Sequence, residues 1–173
     1  NLSDNAWVTG DAVIYGDAKV YDNAVVCDNA QVYGSAEVCD DAQIFSNACV
    51  TDYTLVSGEA QIFGNAKVSD NALVSGYTQV FGCACVGDNA RILDNARVFD
   101  NAWVYDDAQI HGDAQVYGDA KIYDDATVCG NAQVSGTTRV SGTSKVSGNT
   151  ILSDNVTVYN MTLGADEAKL PSD

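Results

Sequence analysis

The sequence contains little positive charge, a single proline, a single histidine and no long apolar run. Eight Lys and Arg residues stand against 24 Asp and Glu, which gives a formal net charge of -16. A chain with this charge repels phosphate backbones, and we therefore do not expect it to bind nucleic acid. Because no apolar stretch is long enough to span a bilayer and no basic, lipid-facing helix is visible, we do not expect membrane insertion.

The proline and glycine counts also argue against disorder. One Pro and 15 Gly in 173 residues do not make a disordered low-complexity tract. The length is that of one domain. The sequence begins at Asn1 rather than Met and shows no signal-peptide pattern, so we expect a processed or excised fragment whose compartment is not indicated.

The main feature of the sequence is a six-residue repeat. From Ala6 to Met161 the sequence divides into 26 hexads of the form A-x-V-x-[G/D]-[N/D], with no insertion. The third position is always Val, Ile or Leu, and the first is usually Ala. The exceptions at the first position are Thr54, Thr78, Thr138, Ser144, Thr150 and Val156. This alternation puts the first and third side chains on one face of a short strand, and a strict period of six is incompatible with a helix.

The fifth and sixth positions predict how each strand ends. The fifth is Gly or Asp in nearly every copy, and the sixth is usually Asn or Asp. These residue types accept left-handed backbone at the least cost, so we expect the chain to turn a corner every six residues. A single hexad cannot bury its own apolar face, whereas stacked coils bury theirs jointly.

These hexads resemble the hexapeptide-repeat family, the left-handed parallel β-helix of bacterial acyltransferases and related proteins. The resemblance extends from Ala6 to Met161. It implies an all-β fold, a single-stranded parallel β-helix (solenoid) in which three hexads form one triangular coil of eighteen residues. The left-handed sense is implied by the family, since the hexad alone does not establish it.

The phenylalanines provide an independent test of the three-sided coil. All four occupy the fourth position of their hexads and lie eighteen residues apart, and a tyrosine follows at the same interval. The column consists of Phe45, Phe63, Phe81, Phe99 and Tyr117. Gln43, Gln61 and Gln79 form a parallel column at the second position, continued by Arg97, Gln115 and Gln133. Coils stacked about 4.8 Å apart would make these an aromatic ladder beside an amide ladder.

The repeat also sets the expected domain boundaries. We predict a β-helix of about nine coils over residues 1–161, about 40 Å long at the spacing of parallel strands. Residues 162–173 leave the pattern and are expected to form a C-terminal tail or cap. Leu2 to Asn5 already match the end of a hexad, so the first coil edge is expected to meet either further chain or another molecule.

The resemblance raises acyl transfer as one function. Those enzymes typically have a long loop excursion and a His that acts as general base. His111 is the only histidine here, it lies between Leu93 and Cys129 in an outward column, and no hexad is interrupted. An acyltransferase-like enzyme would therefore need His111 together with a neighbouring subunit. The three-His metal site of the related carbonic anhydrases is excluded by the histidine count.

The six cysteines do not recur at the spacing that would stack them. They are Cys27, Cys39, Cys49, Cys83, Cys85 and Cys129. Cys83 is a corner residue, and the other five occupy outward slots. No C-x-x-C or Cys/His cluster suggests zinc, so we expect free thiols, with intermolecular bridging as the alternative. Free thiols suit a reducing compartment.

Two repeated polar columns suggest ion or ice binding as further alternatives. The corner after the second face carries Asp52, Asp70, Asp88, Asp106 and Asp124 in five successive coils. Stacked carboxylates repel unless water or cations intervene, so calcium is the one ion that this edge would favour. Ice binding would need unbroken hydroxyl rows, but the serines of the third face, Ser57, Ser75 and Ser147, are interrupted.

The aromatic ladder is the preferred candidate for a binding surface. A continuous exposed row of Phe45, Phe63, Phe81, Phe99 and Tyr117, beside Gln43, Gln61 and Gln79, is typical of a contact surface. Stacking of the rings within the chain is the structural alternative. The sequence therefore favours a non-catalytic, self-associating rod without cofactors, associating side by side or end to end. A fibre or surface appendage, located outside the cell, is the context that this function would suit.

Overall fold

Each hexad forms one short strand and one corner, as the alternation predicts. The computed structural model describes residues 2–164. Within this range the chain forms 27 strands, most of them two residues long and located at the second and third positions of a hexad. Residues 2–164 contain no helix with the length and hydrophobicity needed to cross a membrane.

The strands form three nine-stranded parallel sheets, which are the three faces of the solenoid. The first face consists of β1 (Trp7–Val8), β4 (Val25–Val26), β7 (Gln43–Ile44), β10 (Gln61–Ile62), β13 (Gln79–Val80), β16 (Arg97–Val98), β19 (Gln115–Val116), β22 (Gln133–Val134) and β25 (Ile151–Leu152). The second face consists of β2 (Val13–Ile14), β5 (Gln31–Val32), β8 (Cys49–Val50), β11 (Lys67–Val68), β14 (Cys85–Val86), β17 (Trp103–Val104), β20 (Lys121–Ile122), β23 (Arg139–Ser141) and β26 (Thr157–Tyr159). The third face consists of β3 (Lys19–Val20), β6 (Glu37–Val38), β9 (Leu55–Val56), β12 (Leu73–Val74), β15 (Arg91–Ile92), β18 (Gln109–Ile110), β21 (Thr127–Val128), β24 (Lys145–Val146) and β27 (Thr162–Leu163).

The register confirms a coil of eighteen residues. Gln61 in β10 pairs with Gln43 on one side and with Gln79 on the other. The backbone bonds run between coils: the Phe45 N–H donates to the Ile62 carbonyl at 3.0 Å, and the Phe63 N–H donates to that of Val80 at 3.0 Å. Consecutive strands in the chain therefore lie on different faces, and every ladder joins residues one coil apart.

The first and third positions of the hexads fill the interior. The core consists of Ala at the first position and Val or Ile at the third, nearly all with no exposed surface between Ala18 and Val146. Where Thr or Ser replaces the inward Ala, the hydroxyl is usually satisfied by the preceding corner: Thr54 donates to the Thr51 carbonyl at 2.7 Å, and Ser144 to that of Ser141 at 2.6 Å. Thr78 differs, since its buried hydroxyl has no partner within residues 2–164.

Left-handed backbone at the fifth position forms every corner. Gly or Asp at this position has a φ between 54° and 86° from Asp4 to Asp154, and Ser46 and Asn160 adopt the same conformation. The next inward N–H then closes the turn, as where Ala48 donates to the Phe45 carbonyl at 3.4 Å. At Gly34 a Cβ would lie 2.7 Å from the Asp52 backbone nitrogen, so the coil spacing favours glycine there.

The solenoid continues beyond the predicted boundary at residue 161. Thr162–Leu163 form β27, which pairs with β24 through Lys145↔Thr162. This pairing spans seventeen residues instead of eighteen, because Asn160 alone forms the last corner. The Met161 carbonyl then accepts the Lys145 N–H at 2.8 Å, as a first-position residue does elsewhere, while its side chain stays exposed. The prediction that residues 162–173 leave the pattern is therefore wrong for residues 162 and 163. Residues 165–173 lie outside the described range.

Candidate binding faces

The aromatic column on the first face is a continuous parallel stack. The ring centroids of Phe45, Phe63 and Phe81 are 4.8 Å apart, and those of Phe81, Phe99 and Tyr117 are 4.9 Å apart. The planes of neighbouring rings differ by no more than 4°. The spacing is that of the coils, so the backbone alone places the rings face to face. We name Phe45, Phe63, Phe81, Phe99 and Tyr117 the Phe ladder.

The Phe ladder is less exposed than its outward position suggests. Each of its five rings is half-buried, whereas Trp7 and Tyr53 are exposed by 66% and 72%. The stacking that the sequence left open as an alternative is present, and each inner ring is covered on both sides by its neighbours. Only the outer edges of the rings remain available to a partner.

An amide ladder lies beside the Phe ladder. Gln79 donates from Nε2 to Oε1 of Gln61 at 3.1 Å, and Gln43 is the register partner of Gln61 in the preceding coil. Arg97 continues this column, with its guanidinium carbon 5.6 Å from the Phe81 ring centroid and 5.9 Å from that of Phe99. The cation therefore lies beside the stack, close to two of its rings.

The second face carries a broken aromatic column. Tyr15 and Tyr33 stack at 4.6 Å, and Tyr105 and Tyr123 stack at 5.2 Å. Between the two pairs the fourth position is occupied by Thr51, Ser69 and Gly87 in three consecutive coils. The small side chains leave a depression where the first face has its ladder.

This depression is a groove along the solenoid axis. One part, about 410 Å³, is lined by Lys67, Ser69, Asp70, Cys85, Val86, Gly87, Asp88, Trp103, Val104, Tyr105 and Lys121. An adjoining part of about 460 Å³ is lined by Gln31, Tyr33, Asn47, Cys49, Thr51, Lys67, Val68 and Ser69. Lys67 and Ser69 belong to both parts. We name the whole depression the second-face groove. No motif in the sequence predicts it, and its one sequence signal is the absence of tyrosine from this column between Tyr33 and Tyr105.

The surroundings of three ionisable side chains in the groove raise their pKa values. The thiol of Cys49 lies 3.6 Å from the Tyr33 hydroxyl, and this hydrogen bond raises the pKa of Tyr33 to about 12. Burial raises the pKa of the Cys85 thiol, against the opposing effect of the Lys67 ammonium. Burial also raises the pKa of Tyr105. At neutral pH the groove therefore offers hydroxyls and a neutral Cys85 thiol beside its lysines and aspartates.

The aspartates of the corner after the second face have intramolecular partners. Each carboxylate of Asp70, Asp88 and Asp106 accepts the N–H of the aspartate one coil further, at 3.3, 3.4 and 3.2 Å. Asp124 accepts from the Gly142 N–H at 2.8 Å, and Asp52 accepts from the Thr51 hydroxyl. These bonds give the repeated Asp a structural role at the coil edge. Calcium binding at Asp52, Asp70, Asp88, Asp106 and Asp124 stays a prediction.

His111 has a carboxylate neighbour in the preceding coil. Its Nδ1 lies 3.9 Å from an Asp94 carboxylate oxygen, and both side chains are substantially exposed, by 39% and 61%. This distance is longer than a hydrogen bond, but it places a negative charge beside one ring nitrogen. His111 is not among the residues that line the second-face groove.

The six cysteines, all within residues 2–164, are free thiols. Cys39 and Cys129 are buried although they occupy outward slots, whereas Cys27, also at a fourth position, is only partly buried. Burial raises the pKa of the Cys39 thiol, which also interacts with the Tyr21 hydroxyl. Cys39 lies near the carboxylates of Asp22 and Asp40, but each of these already accepts a backbone N–H.

The serine row of the third face is short. Ser57 donates to Ser75 at 3.1 Å. Leu93, His111 and Cys129 then occupy the same column up to Ser147. Two adjacent hydroxyls do not form the extended regular array that the ice-binding alternative would need.

Comparison with known proteins identifies the repeat and the fold. A family model described as the YdcK beta solenoid repeat matches residues 90–106 and 120–142, less than half of the chain. No curated protein matches the sequence. Among solved structures, the UDP-N-acetylglucosamine O-acyltransferase (LpxA) of Moraxella catarrhalis RH4 is similar, with a TM-score of 0.64 and 16% sequence identity. LpxA of Acinetobacter baumannii has a TM-score of 0.71, also at 16% identity.

These similarities cover most of the described solenoid. The match to the Moraxella enzyme covers 84% of this chain and 66% of the enzyme, just under two thirds of its length. The match to the Acinetobacter protein covers 95% of this chain and 71% of that one. At 16% identity the likeness shows a shared fold and leaves the activity open.

Proposed function

Since the chain is a hexapeptide-repeat left-handed β-helix, we propose that it is a non-catalytic structural rod that self-associates side by side through the Phe ladder. The observation that carries this proposal is the charge distribution. At the outward strand positions of the first face, from Trp7 to Ser153, Arg97 is the one charged residue, in a chain with a net charge of -16. An uncharged, flat, partly apolar face on so acidic a protein suits a protein interface.

The corner next to the ladder supports the same proposal. The residues that follow Phe45, Phe63 and Phe81 at this corner are Ser46–Asn47, Gly64–Asn65 and Gly82–Cys83, none of them charged. Asp100 follows Phe99 and Asp119 lies two residues after Tyr117, so the uncharged stretch covers three of the five coils. The aspartate ladder lies at a different corner, after the second face. Two copies that meet through the Phe ladder therefore keep their most acidic edges apart, which limits the electrostatic repulsion between them.

The position of the ladder favours a two-fold symmetric, antiparallel pair. Phe81 belongs to the fifth strand of the nine on the first face, so the ladder is centred on the body. A two-fold axis through Phe81 brings Phe63 opposite Phe99 and Phe45 opposite Tyr117. Such an isologous contact closes on itself and forms a discrete dimer. A face about 40 Å by 15 Å offers about 600 Å² per partner, at the small end for stable complexes, so we expect reversible association.

Sedimentation equilibrium over a wide concentration range tests this proposal. Wild type should pass reversibly from the 18.2 kDa monomer to the dimer. Gln61→Glu plus Gln115→Glu keeps every ring but places carboxylates on the interface, and it should remain monomeric. Tyr53→Asp plus Tyr159→Asp is the matched control, since it adds the same charge at exposed positions outside the first face, and it should dimerise like wild type. A wild type that is monomeric throughout, or a Gln61/Gln115 variant that dimerises normally, would contradict the proposal.

A rod of this kind suits a fibre or a surface appendage outside the cell, as expected from the sequence. The free thiols of Cys27, Cys83 and the other cysteines are the feature that an oxidising exterior would put at risk. Labelling of intact and permeabilised cells with an antibody against the chain separates the two locations.

An acyltransferase-like enzyme is the second candidate, and a specific observation favours it. The Asp94 carboxylate lies 3.9 Å from Nδ1 of His111, and a proton held on that nitrogen leaves Nε2 free to act as a general base. The fold is also that of the two LpxA structures. Because His111 is half-exposed, a second subunit would have to build the other wall of its site. Calorimetric titration with acetyl-coenzyme A tests this: binding that is lost in His111→Ala supports the enzyme, and no binding to wild type excludes it.

A further inference from the structure

The second-face groove has an aromatic platform at one end and a cation at its centre. Trp103 is exposed by 48%, and the Lys121 ammonium lies 5.5 Å from its ring centroid on one side. The register partner of Trp103 in the preceding coil is Cys85, whose short side chain leaves the other side of the indole open to the groove. The groove therefore presents one free, flat aromatic face.

Lys67 stands in the middle of the groove without a charged partner. It is exposed, it lines both parts of the groove, and no carboxylate among residues 2–164 lies within ion-pair distance of its ammonium. On either side of it in the ladder are Cys49 and Cys85. An unpaired ammonium between two uncharged neighbours, in a chain of net charge -16, is a point of attraction for an anionic group.

Polar groups line the rest of the groove. The Ser69 hydroxyl donates to an Asp70 carboxylate oxygen at 2.7 Å, which fixes both side chains, and Asp88 lies at the same edge. From Tyr33 to Tyr105 the groove spans four coil steps, about 19 Å at the parallel-strand spacing. It is therefore long, narrow and shallow, with hydroxyl and carboxylate groups beside an aromatic end.

We propose that the second-face groove binds an acidic oligosaccharide, with a pyranose ring packed on the open face of Trp103 and a sugar carboxylate paired with Lys67. The flat, apolar face of a pyranose fits an indole, and its hydroxyls match Ser69, Asp70 and Asp88. A peptide fits less well, because β11, β14 and β17 pair with one another and leave no free strand edge for it to extend.

Gly87 makes the groove, and it also provides the test. Its φ is outside the left-handed region, and a Cβ there would meet only the side-chain ends of Asp70 at 3.1 Å and Ser69 at 3.3 Å. Tyrosine occupies the equivalent position in the next two coils, at Tyr105 and Tyr123. Gly87→Tyr should therefore extend this stack and fill the groove while the solenoid remains folded.

Tryptophan fluorescence reads out binding directly. In a Trp7→Phe background Trp103 is the sole tryptophan. Tetragalacturonic acid, titrated in buffer with EDTA, should change its emission saturably, and neutral maltotetraose should bind at least tenfold more weakly. Lys67→Met should weaken tetragalacturonate binding at least tenfold and reduce its salt dependence, whereas Lys19→Met, on the third face, should leave it unchanged.

The same titration can overturn the proposal. Gly87→Tyr should abolish the response to tetragalacturonate while its unfolding transition stays close to that of the parent. If neither sugar changes the emission, or if Gly87→Tyr binds as well as its parent, the groove is not the site. If maltotetraose binds as tightly as tetragalacturonate, or Lys67→Met has no effect, the acidic class is wrong.

Discussion

The first and second faces of the solenoid share a backbone and differ at one position of the hexad. On the first face the fourth position is aromatic in five consecutive coils, and the rings of the Phe ladder cover one another. On the second face two tyrosine pairs are separated by Thr51, Ser69 and Gly87, and the interval is a groove. An unbroken column of aromatic side chains thus makes a closed surface, whereas three small side chains in a row make a concave one.

The difference shows where this fold is free to vary. The inward positions are held to Val, Ile or Leu at the third position and to small residues, mostly Ala, at the first, because the interior of the triangle has a fixed size. The outward positions carry no such restriction. The residues of a binding surface can therefore vary at the second and fourth positions while the backbone and the core stay the same.

The largest effect on the free energy of unfolding is expected for the buried core residues, which the two faces have in common. Ile62 in β10 and Ile122 in β20 are fully buried beneath the first and second faces. Replacing either by Ala removes apolar contacts and leaves a cavity, and we expect both to lower the free energy of unfolding by about 2–5 kcal/mol. Chemical denaturation of the two variants measures this. If one variant were nearly neutral, the interior would not be equally packed beneath the two faces.

The next largest effect is expected for the aromatic columns, where truncation of a ring should cost more stability on the first face than on the second. Phe81 stacks on Phe63 and on Phe99, whereas Tyr105 stacks on Tyr123 alone. At about 0.5–1.5 kcal/mol for each aromatic pair, Phe81→Ala should lose about 1–3 kcal/mol from stacking and Tyr105→Ala about half of that. Tyr53→Ala, at an exposed corner, is the control and should be close to neutral. Equal losses at Phe81 and Tyr105 would show that stacking adds little to burial.

A smaller effect is expected at the corner after the second face. Asp106 has a φ of 57°, and its carboxylate accepts the Asp124 N–H. Asp106→Ala loses this acceptor and strains the left-handed backbone, so we expect a loss of about 1–2 kcal/mol. Asp106→Asn keeps an acceptor and removes one of several stacked charges, and it should be neutral or slightly stabilising, more so at low salt. If Asn were as damaging as Ala in thermal unfolding, the charge itself would be required.

The smallest effect is expected on the third face, at an exposed ion pair. The Lys19 ammonium donates to Glu37 at 2.6 Å, and this hydrogen bond lowers the pKa of the Glu37 carboxyl. The pair therefore stabilises the fold above the ordinary glutamate pKa and loses this contribution as the pH falls through the lower folded-state value. Because both side chains are more than a third exposed, Lys19→Met should cost less than about 1 kcal/mol near neutral pH.

A pH series of unfolding measurements checks the sign. The difference between wild type and Lys19→Met should shrink towards zero in acid, and it should be absent at every pH in a Glu37→Gln background. A difference that grew as the pH fell would contradict the assignment.

The repeat made the fold and its corners predictable from the sequence. The spacing from Phe45 to Phe99 predicted the eighteen-residue coil, and the Gly and Asp positions predicted the left-handed φ values. The features that could not be predicted from the sequence depend on contacts with neighbouring coils. The burial of Cys39 and Cys129, the acceptor role of Asp70 and the shielding of Phe63 all arise from residues about eighteen positions away.

The second-face groove was missed for a related reason. A residue that is absent from a column leaves no motif, and Gly87 reads as one more glycine among many. Its meaning appears only when Ser69 and Tyr105 are placed beside it in space. The boundary at residue 161 was misplaced because the last corner has one residue fewer, which breaks the hexad count but not the ladder.

The fixed coil length gives the folded chain a reading frame of its own. Deletion of one hexad in the middle, for instance the one that begins at Ala66, would rotate everything beyond it by one face, so that Phe81 and Phe99 would no longer stand above Phe63. Deletion of three consecutive hexads would shorten the rod by about 4.8 Å and restore every column. Length can therefore change in whole coils without scrambling the surfaces, whereas any other insertion or deletion acts as a frameshift in three dimensions.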